Sequence, residues 1–146
     1  MLGMKTMLIR SAVFCVLTPV LITCLSGCVS YRPVRAWGSA VEVYDYADKN
    51  YQVGDVAILG QAVIMSASFI WDTPGEAGFH SVRWELYKGD QCIRKDPRRM
   101  QLFAHSPHTV SLQLDATALG EGTFRGVLYV DDLDAATNSI TIRSEK

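Results

Sequence analysis

Apolar side chains recur at every second position along most of this chain. Val41 and Val43 alternate with Glu42 and Tyr44, and Val63, Met65, Ala67, Phe69 and Trp71 with Ile64, Ser66, Ser68 and Ile70. Val82, Trp84 and Leu86 alternate with Arg83, Glu85 and Tyr87, and Val110, Leu112 and Leu114 with Ser111, Gln113 and Asp115. Phe124, Gly126, Leu128 and Val130 alternate with Thr123, Arg125, Val127 and Tyr129, and Ile140 and Ile142 supply a last short strand. A repeat of two is the period of a β-strand with one buried face. Turn formers separate the runs at Gly54-Asp55, Asp72-Thr73-Pro74-Gly75, Lys88-Gly89-Asp90-Gln91 and Gly120-Glu121-Gly122. Residues 56–66 fit a buried helix as readily as strands, although Gly60 favours a break. Short strands following one another without helical periods predict an all-β fold, a two-sheet antiparallel sandwich over residues 40–146.

The first residues follow another pattern. Lys5 and Arg10 are the only charges before an apolar run from Ser11 to Leu25, interrupted by Thr18-Pro19. This is the charged-then-apolar layout of an export signal, and the run is short of the roughly 20 residues of a membrane span. Its end, Leu25-Ser26-Gly27-Cys28, resembles the lipobox of bacterial lipoproteins: an aliphatic residue, two small ones, then the cysteine that is lipidated. Cys24 would instead follow Thr23, where that pattern has Gly, Ala or Ser, so Cys28 is assigned as the acyl acceptor. The resemblance implies a signal peptide over 1–27, cleavage before Cys28, and two or more acyl chains holding the protein stably on a membrane. Val29 in place of Asp is similar to the enterobacterial pattern for outer-membrane sorting. Residues 28–39 then form a tether of roughly 40 Å at full extension, unless Tyr31 and Trp37 dock on the domain.

Composition narrows the function classes. The chain has 146 residues, 49% of them hydrophobic, with 14 Lys and Arg against 15 Asp and Glu. Such balance fits a folded domain and argues against disorder or general nucleic-acid binding. With Cys15 and Cys24 in the leader and Cys28 lipidated, Cys92 is the one remaining thiol and has no intrachain partner. Its expected role is that of a small buried hydrophobe.

The segment from Val82 to Asp90, with its Trp84 and hairpin, resembles the Trp-bearing strand of immunoglobulin-like and fibronectin-type domains. Gly122 to Asp131 is similar to their penultimate strand. The cysteine pair of antibody domains is absent, so the resemblance implies an immunoglobulin-like sandwich architecture and no particular function.

Motifs for phosphate loops, nucleophile elbows and metal helices are missing, and no catalytic residue, cofactor or metal is assigned. His105 and His108 read as loop histidines, and Asp131, Asp132 and Asp134 as a solvated turn. Arg94, Lys95, Arg98 and Arg99 form the one dense basic patch; a charged loop that keeps strand edges soluble is the plainer reading of it, and as a binding site, the best candidate in the chain, it suits phosphates, anionic glycans or an acidic partner. Tyr87 and Tyr129 fall on outward faces and would make an aromatic stripe if their strands are neighbours. Trp37, Tyr44, Tyr46 and Tyr51 are further candidates for a sugar platform or a protein hot spot. The expectation is a non-catalytic lipoprotein of the bacterial envelope, facing the periplasm from the outer membrane, whose sandwich binds another envelope protein. A glycan-binding module and an inhibitor or immunity protein are the alternatives.

Overall fold

The computed structural model describes residues 33–73 and 78–145. The leader, the lipobox residues Leu25, Ser26, Gly27 and Cys28, Tyr31, and the Pro74-Gly75 turn lie outside the described residues. Nine strands follow in order: β1 (Val34–Asp45), β2 (Asn50–Val53), β3 (Val56–Ile58), β4 (Ala62–Trp71), β5 (Gly78–Lys88), β6 (Gln91–Leu102), β7 (Pro107–Asp115), β8 (Gly122–Val130) and β9 (Leu133–Arg143). One helical turn, α1 (Ala116–Leu119), links β7 to β8, with Asp115 as its N-cap accepting from the Thr117 N–H at 2.8 Å.

The strands form two sheets, ordered β2-β1-β4-β7 and β3-β9-β8-β5-β6. Their inner faces are the alternating apolar sets expected from the sequence. Met65, Phe69, Trp84, Leu86, Leu112, Phe124, Leu128 and Ile140 are the large side chains at the centre of the resulting core. All strand pairs are antiparallel except β3 with β9, which run parallel, so the expected antiparallel sandwich has one mixed edge. The uncertain stretch resolves as β3, a tight turn at Leu59-Gly60 with Gly60 at φ 95°, and β4. Gly is favoured there because a Cβ strains that conformation.

Two boundaries differ from expectation. The sheet opens at Val34, paired with Trp71, rather than near residue 40, so residues 34–39 are strand and not tether. Trp37 sits at a bulge between Ala36 and Gly38 and stays exposed. The closing strand is also longer than the short one expected around Ile140 and Ile142: β9 runs eleven residues, entered from the two-residue hairpin turn at Asp131-Asp132, with Asp134 already on the strand.

Among the described residues, a buried amide ties the two sheets across the core. Asn138 on β9 is buried and donates from Nδ2 to the carbonyls of Ala40 (3.3 Å) and Ser66 (3.0 Å) on the opposite sheet. An amide inside an apolar core is tolerated when its donors are used, and here both acceptors belong to the facing sheet.

Candidate functional site

The basic patch does not form a single surface. Arg94, Lys95, Arg98 and Arg99 all lie on the edge strand β6 rather than in a loop, and the pleat sends them to two faces. Arg94 and Arg98 register with the inward Leu86 and Val82, reach past the rim of the sandwich, and donate to the carbonyls of Gln113 (3.1 Å) and Ser111 (2.8 Å) on β7. Arg98 also holds Asp96 at 2.7 Å. Lys95 and Arg99 point to the outer face, Lys95 toward Glu85 at 3.2 Å and Arg99 over the Phe79 ring.

On that outer face β5 and β8 are neighbours, as an aromatic stripe requires, but both rings are covered. Arg83 stacks over Tyr129 at 4.6 Å, and Arg125 over Tyr87 at 4.7 Å. Between them lies Glu85, which reads as an outward polar residue in the sequence yet is only 5% exposed. The Tyr87 hydroxyl, Arg83 (2.9 Å) and Lys95 all bond its carboxylate. These donors, led by Tyr87, hold the Glu85 carboxyl down to about 2, while burial works against them. The Tyr87 hydroxyl is pushed above its ordinary value, first by the Glu85 carboxylate and then by Tyr129. Tyr87, Tyr129 and Lys95 therefore belong to a closed lattice, and Glu85, its centre, has no sequence signature apart from a polar residue at an outward position.

The histidines have separate partners. His80 Nδ1 meets Asp131 at 2.6 Å, His105 approaches Asp72 at 3.4 Å, and His108 Nε2 accepts the Phe103 N–H at 3.1 Å. Asp131 also accepts the Ser81 N–H, and Asp132 takes Arg83 at 2.5 Å, so these carboxylates brace the β8–β9 turn against β5. Cys92 is half-buried on β6, its thiol toward the Arg94 carbonyl at 3.6 Å.

The two flanks of the sandwich are finished differently. On the β6–β7 side, Pro97 interrupts the β6 edge, and the Arg94 and Arg98 guanidinium groups occupy carbonyls of the β7 edge; both devices discourage strand addition. On the opposite side, the short edge strand β2 has all four side chains exposed. The bond from the Gly54 N–H to the Val41 carbonyl (3.0 Å) sets the alternation, so Gln52 and Asn50 bond β1 while Tyr51 and Val53 turn their N–H and C=O groups outward. Val53 is 78% exposed. Beside this edge, Tyr44 packs edge-on against both Tyr46 and Tyr51, with centroids 5.0 and 5.1 Å apart. Sequence reasoning named these three tyrosines only as members of a wider set, because their meeting depends on the β1–β2 register.

The topology defines the class. β1, β4 and β7 in one sheet face β5, β8 and β9 in the other, with the buried tryptophan Trp84 on β5, inside the second sheet, and this is an immunoglobulin-like sandwich. No family model matches the chain, and no curated protein matches it either. Among solved structures, an immunoglobulin-like protein from Pseudomonas aeruginosa is 18% identical over 78% of this chain and 99% of its own, with a TM-score of 0.48. The alkylpurine DNA glycosylase AlkC of Pseudomonas fluorescens, bound to DNA containing an abasic site analogue, is 13% identical with a TM-score of 0.54. That match covers 77% of this chain and 31% of the glycosylase, and it is a likeness of fold alone.

Proposed function

We propose that this chain is a non-catalytic lipoprotein of the bacterial envelope, anchored through Cys28 and facing the periplasm from the outer membrane. In this reading its sandwich is an accessory subunit that takes an extended segment of another envelope protein along β2. The observation that carries the proposal is the asymmetry of the flanks: one edge is blocked by Pro97, Arg94 and Arg98, while β2 offers outward backbone groups at Tyr51 and Val53 beside the Tyr44–Tyr46–Tyr51 cluster. Strand addition uses main-chain bonds for affinity and neighbouring side chains for specificity. Tyrosines supply broad contact area at small entropic cost. Lipid tethering raises the effective concentration of such a module at the membrane, so its intrinsic affinity can be modest.

The test is crosslinking and pull-down of C-terminally tagged protein from intact cells, with Cys28→Ala and Val53→Pro run alongside. Proline at 53 removes an outward N–H and leaves the bonds of Gln52 to β1 in place. A discrete partner captured by the wild type, lost with Val53→Pro and reduced in Cys28→Ala supports the proposal. Capture unaffected by Val53→Pro removes β2 from it. Absence of a protein partner together with sedimentation on purified cell walls would replace it with the glycan-binding reading, for which the same tyrosine cluster is the platform.

A further inference from the structure

A cavity of about 500 Å³ opens at the end of the sandwich beside α1, between β6 and β7. Its floor is apolar, made by Ile93, Leu114, Leu119 and Phe124, and two cations, Lys88 and Arg94, stand among its walls. The volume lies within the roughly 300–1,000 Å³ typical of small-molecule sites, which combine apolar walls with a few placed polar groups.

The cations are held in place without being neutralised. Lys88 Nζ lies 5.1 Å from the Phe124 ring centre and donates one bond to the Glu121 carbonyl at 3.0 Å. Arg94 uses one nitrogen on the Gln113 carbonyl. Among the described residues Arg35, Arg83, Lys95 and Arg98 each meet a carboxylate, whereas the hydrogen bonds of Lys88 and Arg94 go to carbonyl oxygens and leave further donors on both side chains. Asp115 also lines the cavity and caps α1 through one carboxylate oxygen, without an ion pair to either cation. An apolar floor beneath two positioned, unneutralised cations complements an apolar body with a single anionic head.

We propose that this cavity is a binding site for small amphipathic carboxylates, the carboxylate bridging Lys88 and Arg94 and the hydrocarbon resting on Leu114, Leu119 and Phe124. The site is independent of the β2 edge and of the lipid anchor.

The probe is phenylbutyrate, compared with phenylbutanol, which has the same apolar body and no charge. Both are titrated into the full ¹⁵N-labelled chain in lipid nanodiscs while the amides of Ile93 and Leu119 are followed. The expected result is saturable shifts for the acid at affinity about tenfold above that of the alcohol, the difference made by charge-assisted bonds. Lys88→Gln and Arg94→Gln should each lose most of that preference. Ala118→Trp, which fills the mouth from an exposed position of α1, should abolish binding while leaving the remaining amide spectrum in place. Equal affinity for acid and alcohol, binding unchanged in Ala118→Trp, or no saturable shift at millimolar probe would each overturn the proposal.

Discussion

Gly126 on β8 lies directly beneath the thioether of Met65 on β4: a Cβ built on residue 126 would stand 2.6 Å from Met65 Sδ and 3.3 Å from the Trp84 ring. In antibody domains a disulfide joins the two sheets against the buried tryptophan. Here a long, adaptable thioether fills the space over a glycine, and Trp84 packs against both. A sandwich of this size can be stable without the covalent link because it buries a continuous core.

That contact gives the first prediction. Gly126→Ala should destabilise the domain by about 1–3 kcal/mol through overpacking, since the ring of Trp84 cannot move as freely as Met65. Adding Met65→Val should recover part of the loss, so the two substitutions are non-additive. Urea unfolding of the two single variants and the double variant measures the coupling; strict additivity would mean the residues do not share this space.

Glu85 gives stability a pH dependence of known sign. Its carboxyl titrates near 2 in the folded chain against an ordinary value of 4.5, so the folded state favours the carboxylate. The resulting stabilisation is fully present above about pH 4.5 and is lost as pH falls towards 2. Glu85→Gln should flatten the stability curve over that interval, as read by urea midpoints at stepped pH. An unchanged slope in the variant would assign the acid sensitivity to other carboxylates.

Arg94 and Arg98 guard the β7 edge, and their value lies more in solution behaviour than in folding energy. Each should cost no more than about 1 kcal/mol when changed to alanine, as expected for partly exposed bonds to carbonyls. The double variant should self-associate, because the Ser111 and Gln113 carbonyls are then free to accept another strand. Sedimentation velocity on wild type and double variant decides it, with a monomeric double variant counting against the edge-guard role.

The β8–β9 turn places Asp131 and Asp132 at φ 47° and 66°, conformations that favour glycine and asparagine in a two-residue hairpin. The side chains compensate differently. Asp131 accepts from both His80 and the Ser81 N–H, so Asp131→Ala should cost about 1–2 kcal/mol. Asp132 is exposed and contributes an ion pair to Arg83, so Asp132→Gly should be neutral or stabilising by up to about 1 kcal/mol as backbone strain is relieved. Thermal unfolding of the two variants should therefore move in different directions, or differ clearly in size.

The period of two by itself determined the central strands β4, β5, β7 and β8 and which face of each is buried, because a side chain alternates across a strand whatever the strand pairs with. Val82, Trp84 and Leu86 point inward for that reason, and the turn signals at Gly89-Asp90 and Gly120-Glu121-Gly122 fall where the chain reverses. Depth, neighbours and register are not local properties. Glu85 is buried on an outward face because Arg83 and Tyr87, two residues away on the same strand, close over it; Tyr129 and Arg125 of β8 stack on those two side chains and Lys95 arrives from β6, and these partners are there only once β5 lies between β6 and β8. The basic run around Pro97 divides into an edge guard and an outer-face pair because the residues occupy an edge strand, where one pleat face meets β7 and the other meets solvent. The Tyr44–Tyr46–Tyr51 cluster, the Met65–Gly126 contact and the open edge of β2 likewise follow from pairings between distant residues, which alternation along the chain does not encode and only the tertiary structure decides.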